Sequence, residues 1–334
     1  MSRINSASFS DPRITVIEVT PVWAGDLNIS DVDNALKAAG VPDEALPKAP
    51  SRATAIQRAV KEIAPRGAKV DALKGLGVTM SLKDMSSLDL EELSNATGGT
   101  VREAASYNAT LTAKVLVQNV NGTEIESLSF SPEDHPMVPL VREVYRAKRD
   151  QYKASEDLSV WFSQTIIPSI GGIGKRARGG GYYVPAERRD LLLSVARGLE
   201  AISSFNKIDR NVAGMSFPVY LLTNGGKICL EPRTSNDAAA MEIMVDGIIR
   251  DVDGTLDDLA SVLEANTSSG KPLGKRALAT KKQEAIRLEA EIATWEQVAS
   301  VSLDLLRNRI EEVRSAIGIA ELAAEMADAT NNND

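Results

Sequence analysis

The chain predicts an α+β fold, with small antiparallel sheets and helices, plus a long C-terminal antiparallel helical hairpin. Three observations carry this reading. Strand-like runs over residues 109–120 and 123–130 flank Asn121-Gly122, and both turn residues accept the positive φ of a tight hairpin. Residues 14–23, ITVIEVTPVW, form a β-branched run. The last third turns to Ala, Glu, Leu and Arg, all good helix formers, with apolar residues spaced by three and four.

Taken in order, residues 1–12 read as a flexible leader. Residues 14–23 read as a strand with Pro21 near its end. Ser30 caps a short helix over 31–39, which Gly40 stops. A proline-rich connector, VPDEALPKAPS, leads to a helix over 52–63 with Ala55, Ile56, Ala59, Val60 and Ile63 on one face. A short strand over 78–82 and a brief helix over 87–94 precede the Asn-Gly hairpin. Residues 138–167 carry apolar or aromatic groups at Val141, Val144, Tyr145, Tyr152, Leu158, Trp161, Phe162 and Ile166, which predicts one helix ended by Pro168. Residues 181–184, GYYV, read as a strand, and a helix runs from Pro185 or Ala186 to about residue 205. A second hairpin is expected from 217–222 and 227–230 around Asn224-Gly225-Gly226.

Asn236 or Asp237 then caps a helix whose seam is Met241, Val245, Ile248, Val252, Leu256, Leu259 and Leu263. The linker NTSSGKPLGK breaks it. A second helix over 276–326 would be roughly 75 Å long if continuous, at 1.5 Å per residue. The organisation expected is a leader (1–12), an α+β body (13–235), a helical hairpin or coiled coil (236–327) and a disordered tail (328–334).

Composition narrows the function classes. Of 334 residues, 43% are hydrophobic, enough for a sizeable core, and only 4% are aromatic, so that core is aliphatic. Cys229 is the only cysteine, so no intrachain disulfide is possible, which fits a reducing compartment. The start, MSRINSASFSDPR, has no apolar signal core, and no run approaches 18 apolar residues. A cytoplasmic protein without membrane contact is therefore expected. The formal charge of -8 argues against a general polyanion binder but allows a local basic patch.

Several motifs invite a catalytic reading and fail on spacing. Asp251-Val252-Asp253-Gly254-Thr255-Leu256 resembles the first motif of haloacid-dehalogenase-type phosphatases, where the first Asp is the nucleophile. That chemistry needs the end of a buried strand, whereas this motif falls within a helical seam. Gly171-Gly172-Ile173-Gly174-Lys175-Arg176 resembles a phosphate-cradling loop, but Ser169 stands where the first Gly is needed and Arg176 where Ser or Thr is needed. His135 is the only histidine, beside Glu133 and Asp134, and reads as a surface loop residue. With no second His and no usable Cys, no zinc site is expected. No GxSxG accompanies a serine, and Cys229 reads as a small core residue.

A different feature survives this filter. Between residues 141 and 200 eleven Lys/Arg face seven Asp/Glu, a local +4 in a chain of -8. Arg142, Arg146, Arg149 and Lys153 fall at helical spacing and predict one stripe. Lys175, Arg176 and Arg178 follow in the glycine loop, then Tyr182 and Tyr183. Guanidinium groups pair with phosphate, glycines admit it, and tyrosines stack on bases, so these nine residues are the candidate nucleic-acid site. The alternative is a solvated helix face with core-packed tyrosines.

Three places together resemble one family: Pro50-Ser51-Arg52-Ala53 with Gln57-Arg58-Ala59; Gly180-Gly181-Tyr182-Tyr183-Val184-Pro185; and the C-terminal helical hairpin with Trp295, Leu305 and Leu306. They resemble an uncharacterised protein family of bacteriophages and their bacterial hosts, over roughly residues 13–320. The resemblance implies a viral or mobile-element setting in a bacterial cytoplasm. It brings no activity, so no catalytic residue is carried over.

The functional expectation is a non-enzymatic protein without cofactor or metal. Its basic helix and glycine loop would contact single-stranded nucleic acid, and its helical hairpin would mediate self-association. The alternatives are an assembly or host-factor-binding protein with no nucleic-acid contact, and an unrecognised enzyme.

Overall fold

The computed structural model describes residues 11–64, 68–81, 110–120, 123–175, 180–212, 215–268 and 273–331, with positions 9 and 95. The chain divides into two compact units. One comprises Met1–Trp23, Ala35–Ala45 and Ser159–Asp334, and the other Ala24–Asn34 and Leu46–Leu158. The expected brief helix over 87–94 and the Asn121-Gly122 turn lie outside the described residues. The α+β class holds, with small antiparallel sheets and a helical C-terminus.

The first unit is built on a five-stranded sheet of order β10-β11-β1-β9-β8. Its strands are β1 (Ile14–Ala24), β8 (Ile173–Gly174), β9 (Tyr182–Pro185), β10 (Ser204–Val212) and β11 (Met215–Thr234). β1 pairs antiparallel with β9, from Val16↔Pro185 to Val19↔Tyr182. Val16 and Ile17 are both fully buried, and successive strand residues face opposite sides, so β1 is covered on both faces at residues 16–19, while Thr20 and Val22 are exposed. Helix α4 (Arg189–Ile202) packs on β11.

The second hairpin differs from the sequence expectation. β11 runs unbroken through Asn224-Gly225-Gly226, and its partner is β10, where a helix was expected to continue to about 205. The glycines bend the strand instead of reversing it. Gly225 has φ 110°, and the register shifts opposite Ser204 and Phe205. A Cβ on Gly226 would fall 2.5 Å from the Trp23 ring. Ser203 Oγ fixes the bend, accepting the Gly226 N–H at 2.9 Å and donating to Leu199 O at 2.7 Å.

The C-terminal region holds α5 (Ala238–Ser268), α6 (Lys275–Ala299) and α7 (Asp304–Asn331). The predicted seam is buried: Met241, Ile248, Val252, Leu256, Leu259 and Leu263 pack with Leu288, Ile292 and Trp295 of α6 and Ile310, Val313 and Ile317 of α7. Val16, Ile173 and Tyr183 of the sheet join the same core. The second arm is not one 75 Å rod. Ser300 adopts the left-handed conformation (φ 54°) and ends α6. Glu296 then accepts the Leu303 N–H at 2.9 Å and pairs with Arg307, which anchors the corner before α7. The pairs Lys282–Glu321, Glu289–Arg314 and Glu296–Arg307 follow one another at intervals of seven in opposite directions, so α6 and α7 run antiparallel. α7 extends to Asn331, into the expected tail.

Helix α1 (Ile29–Ala38) comes first in the chain; the second unit packs α2 (Arg52–Ile63) and α3 (Val138–Lys148) against a four-stranded antiparallel sheet. Its order is β3 (Lys69–Leu73), β4 (Gly77–Ser81), β5 (Thr110–Val120) and β6 (Thr123–Ser131). Ile56, Ala59, Val60, Met80, Leu111, Ala113 and Tyr145 form its core. The helix expected over 138–167 is broken. α3 stops at Lys148, and β7 (Gln151–Lys153) pairs with β2 (Asp26–Asn28) before helical turns resume over 154–169. Tyr152 forces the interruption: it is fully buried, and its hydroxyl donates to Pro47 O at 2.8 Å.

Two glycines of α5 test how closely this helix is seated. A Cβ on Gly247 would lie 2.8 Å from Gly174 O of β8, whereas one on Gly254 would meet nothing within 4 Å. Gly254→Ala is expected to raise stability by roughly 0.5–1 kcal/mol through lower backbone entropy. Gly247→Ala makes the same helix gain but overpacks the strand contact, at about 1–3 kcal/mol, and should lower stability. Urea midpoints of the two variants are the measurement.

Candidate functional site

In the second unit α2 acts as a clamp. Ser51 caps it, accepting the Thr54 N–H at 3.1 Å. Arg52 donates to Asp150 Oδ1 at 2.9 Å and to Arg149 O at 2.5 Å, and pairs with Glu126 at 3.2 Å. Gln57 donates to Gly77 O at 3.0 Å. Arg58 makes a bidentate pair with Asp157, both bonds at 2.7 Å, with both side chains largely buried. Arg52, Gln57 and Arg58 carry part of the family resemblance, and nothing in their spacing along the helix marks them as a clamp.

Beside this clamp lies a cleft of about 450 Å³. Arg58, Lys61, Lys148 and Lys153 line it, and so do Asp26, Glu62 and Glu156. Lys148 is held by Asp26 at 2.6 Å and Glu62 at 3.0 Å, and Lys153 by Glu156 at 2.6 Å. The carboxylates thus neutralise most of the cleft's positive charge locally.

The nine candidate residues separate. Arg142 and Arg146 lie on α3 and are exposed; Arg142 sits 4.6 Å above the Phe130 ring. Arg149 caps α3 and pairs with Asp150 at 3.1 Å and Glu126 at 3.6 Å. Lys153 is on β7, so the predicted continuous stripe ends before it. Lys175, Tyr182 and Tyr183 belong to the other unit, and Arg176 and Arg178 lie outside the described residues. Tyr183 is 1% exposed, and Tyr182 meets Phe162 edge-on at 5.9 Å. The tyrosines pack in the core and against an aromatic neighbour.

The glycine loop and the DxD segment explain one another. Asp251 and Asp253 lie on α5, not at a strand end. Asp251 Oδ2 accepts the Gly174 N–H at 2.9 Å, and Arg250 donates to Gly174 O at 2.6 Å. The backbone that would cradle a phosphate is thereby bonded to a helix. A Cβ on Gly171 would lie 2.4 Å from an Arg188 guanidinium nitrogen, so this glycine, at φ 62°, admits Arg188. Arg188 in turn donates to Thr294 of α6 at 3.0 Å. Asp253 pairs with Arg309 of α7.

Next to the loop, Glu18 of β1 joins Lys175 and Arg233 in an ion triad. Burial raises the Glu18 pKa, but hydrogen bonds from Lys175 and Arg233, with their charges, outweigh it and hold the carboxyl below its ordinary value. Lys175 also stands 5.5 Å from the Tyr183 ring centre.

His135 corrects another expectation. It is in a loop but only 1% exposed, and its Nδ1 accepts the Met137 N–H at 3.1 Å. Met137 and Val138 are core residues and draw the loop inward. Burial lowers the His135 pKa, with Asp134 opposing. Among the described residues no three His, Cys, Asp or Glu side chains are placed to hold a metal ion, and no helix is long and apolar enough to cross a membrane.

Apolar exposure concentrates elsewhere. In the β10–β11 ribbon Ile208 is 43% and Leu221 49% exposed, and Tyr220 is exposed too. On the β5–β6 ribbon Leu116 and Ile125 are exposed, and on α7 Leu305, Ile319 and Leu322.

A family model described as a family of unknown function, DUF6744, matches residues 24–328. No curated protein matches the chain, and no solved structure does.

The Glu18 triad predicts a pH signature. A depressed carboxyl contributes stability that is present above the ordinary glutamate range and lost as pH falls through the lower folded-state pKa. Glu18→Gln should cost about 1.5–3 kcal/mol at neutral pH, the range for hydrogen bonds to charged groups. The gap between variant and parent should narrow as pH drops below the ordinary value of 4.5. Denaturation midpoints across an acid titration measure it.

Proposed function

Because the chain belongs to DUF6744, a family of unknown function, we propose its role from its surface: a non-enzymatic assembly protein that works through protein–protein contact, including contact between its own copies. The observation that carries this reading is the β10–β11 ribbon, which bares Ile208, Tyr220 and Leu221. Apolar residues bared together at the edge of a sheet gain from a partner that covers them. The basic segment supports the same reading. Arg149, Lys153 and Lys175 are engaged by carboxylates, and Tyr183 is buried. The phage resemblance of the sequence adds a setting in which such contacts would be made, a viral or mobile-element assembly.

One observation favours a second reading, contact with single-stranded nucleic acid. Arg142 and Arg146 are exposed on α3 and have no ion-pair partner among the described residues. Two such arginines would give only a shallow salt dependence, with a slope of about -1.4 at roughly -0.7 per phosphate.

The two readings separate in paired measurements on the full chain. The assembly reading expects a light-scattering mass above that of the monomer, and no retarded band on labelled single-stranded DNA at moderate salt. A salt-dependent shift abolished by Arg142→Glu with Arg146→Glu, from a chain monomeric by light scattering, would overturn it.

A further inference from the structure

The described edges of the two larger sheets are not equally available. β8 is two residues long and bonded to α5 through Gly174. β10 is nine residues long, stands at the end of its sheet, and Asn206, Lys207, Ile208 and Asp209 are all exposed. The outer edge of such a strand offers a row of N–H and C=O groups to another strand.

The residues of β10 specify which strand that is. A two-fold axis perpendicular to a sheet sets some residue of an edge strand opposite its own copy. For β10 the full-length register, Ser204 through Val212, is centred on Ile208. That register sets Ile208 against Ile208 and Lys207 against Asp209 of the second copy, twice over by symmetry. Shifting the centre to Lys207 or Asp209 shortens the overlap and opposes like charges. The register that uses the whole strand is therefore also the one that matches charge. Lys207 and Asp209 have no ion-pair partner among the described residues, so both are available. Neither edge strand of the four-stranded sheet has this property: β3 centred on Asp71 would oppose two aspartates, and β6, also nine residues long, would centre on Ser127 and set Glu126 against Leu128 with no opposite charge.

We propose that β10 is a homodimerisation strand, pairing antiparallel with β10 of a second copy about Ile208 and joining the two five-stranded sheets into one. The apolar face carrying Ile208, Val219 and Leu221 then continues across the axis as one strip. This rests on the assembly reading and names its partner as the chain itself.

Charge reversal and rescue test it on the full chain by light scattering over a concentration series. The parent should be at least dimeric. Lys207→Asp alone makes both cross-axis contacts repulsive and should raise the dissociation constant about tenfold or more, since opposed like charges destabilise a strand pair. Asp209→Lys alone should do the same. The exchanged pair, Lys207→Asp with Asp209→Lys, should return the parent's association, and so should an equimolar mixture of the two single variants. Rescue shows that loss in the single variants is not misfolding. A parent that associates while neither single variant weakens it would leave the assembly reading standing and sink the strand register. A parent monomeric at every concentration would sink both. Single variants that dissociate without rescue by the exchange would also overturn the proposed register.

Discussion

The first unit depends on a single constraint, the covering of β1 on both faces at residues 16–19. Val16 and Ile17 point to opposite sides of the sheet, and neither touches solvent. A strand covered on both sides cannot carry a polar residue cheaply, yet Glu18 sits between Ile17 and Val19. Even a partly buried carboxylate loses hydration that a partner must replace. Lys175 and Arg233 supply the partners, one from the loop after β8 and one from β11. The glycine loop and the end of the long strand are thereby tied to β1. The C-terminal helices close the face to which Val16 points.

The residues that look most like chemistry are those that seat helices on this sheet. The Gly174 N–H, the donor a phosphate would want, is taken by Asp251, the residue that a phosphatase would use as nucleophile. Both motifs dissolve into one contact between β8 and α5, and Gly247 supplies the clearance for it. Gly171 plays a similar part for Arg188. Short polar motifs are ambiguous for this reason: bonding a helix to a strand and bonding a phosphate draw on the same glycines, backbone amides and carboxylates.

Charge counts along the chain likewise did not become a field. The local excess from 141 to 200 is real, but a field depends on where the opposite charges fold. Asp26, Glu126 and Glu156 come within ion-pair distance of Lys148, Arg149 and Lys153, and Glu18 of Lys175. Paired groups at these distances cancel beyond a few ångströms, and salt screens what remains. Arg142 and Arg146 keep their exposure because α3 turns that side to solvent.

Local physics made much of the fold legible in the sequence. Helix 52–63 was bounded correctly because Ser51 caps it and its apolar face has helical period. The strand expected at 14–23, observed as Ile14–Ala24, and the pairing of β5 with β6 followed from β-branching and from Asn-Gly, and the α5 seam from its spacing. What failed were features set by contacts beyond the local run of sequence. Tyr152 leaves the helical register because Pro47 offers its hydroxyl a buried acceptor, about a hundred residues away in sequence. Gly225-Gly226 bend a strand instead of reversing it because Trp23 and Ser203 occupy the space beside them. Ser300 breaks the last helical arm where Glu296 can hold both Leu303 and Arg307. Periodicity and capping are encoded within a few residues, so the sequence alone determined them. Which polar groups find one another across the chain is decided only when the core closes, and that step placed the candidate site residues in two separate units.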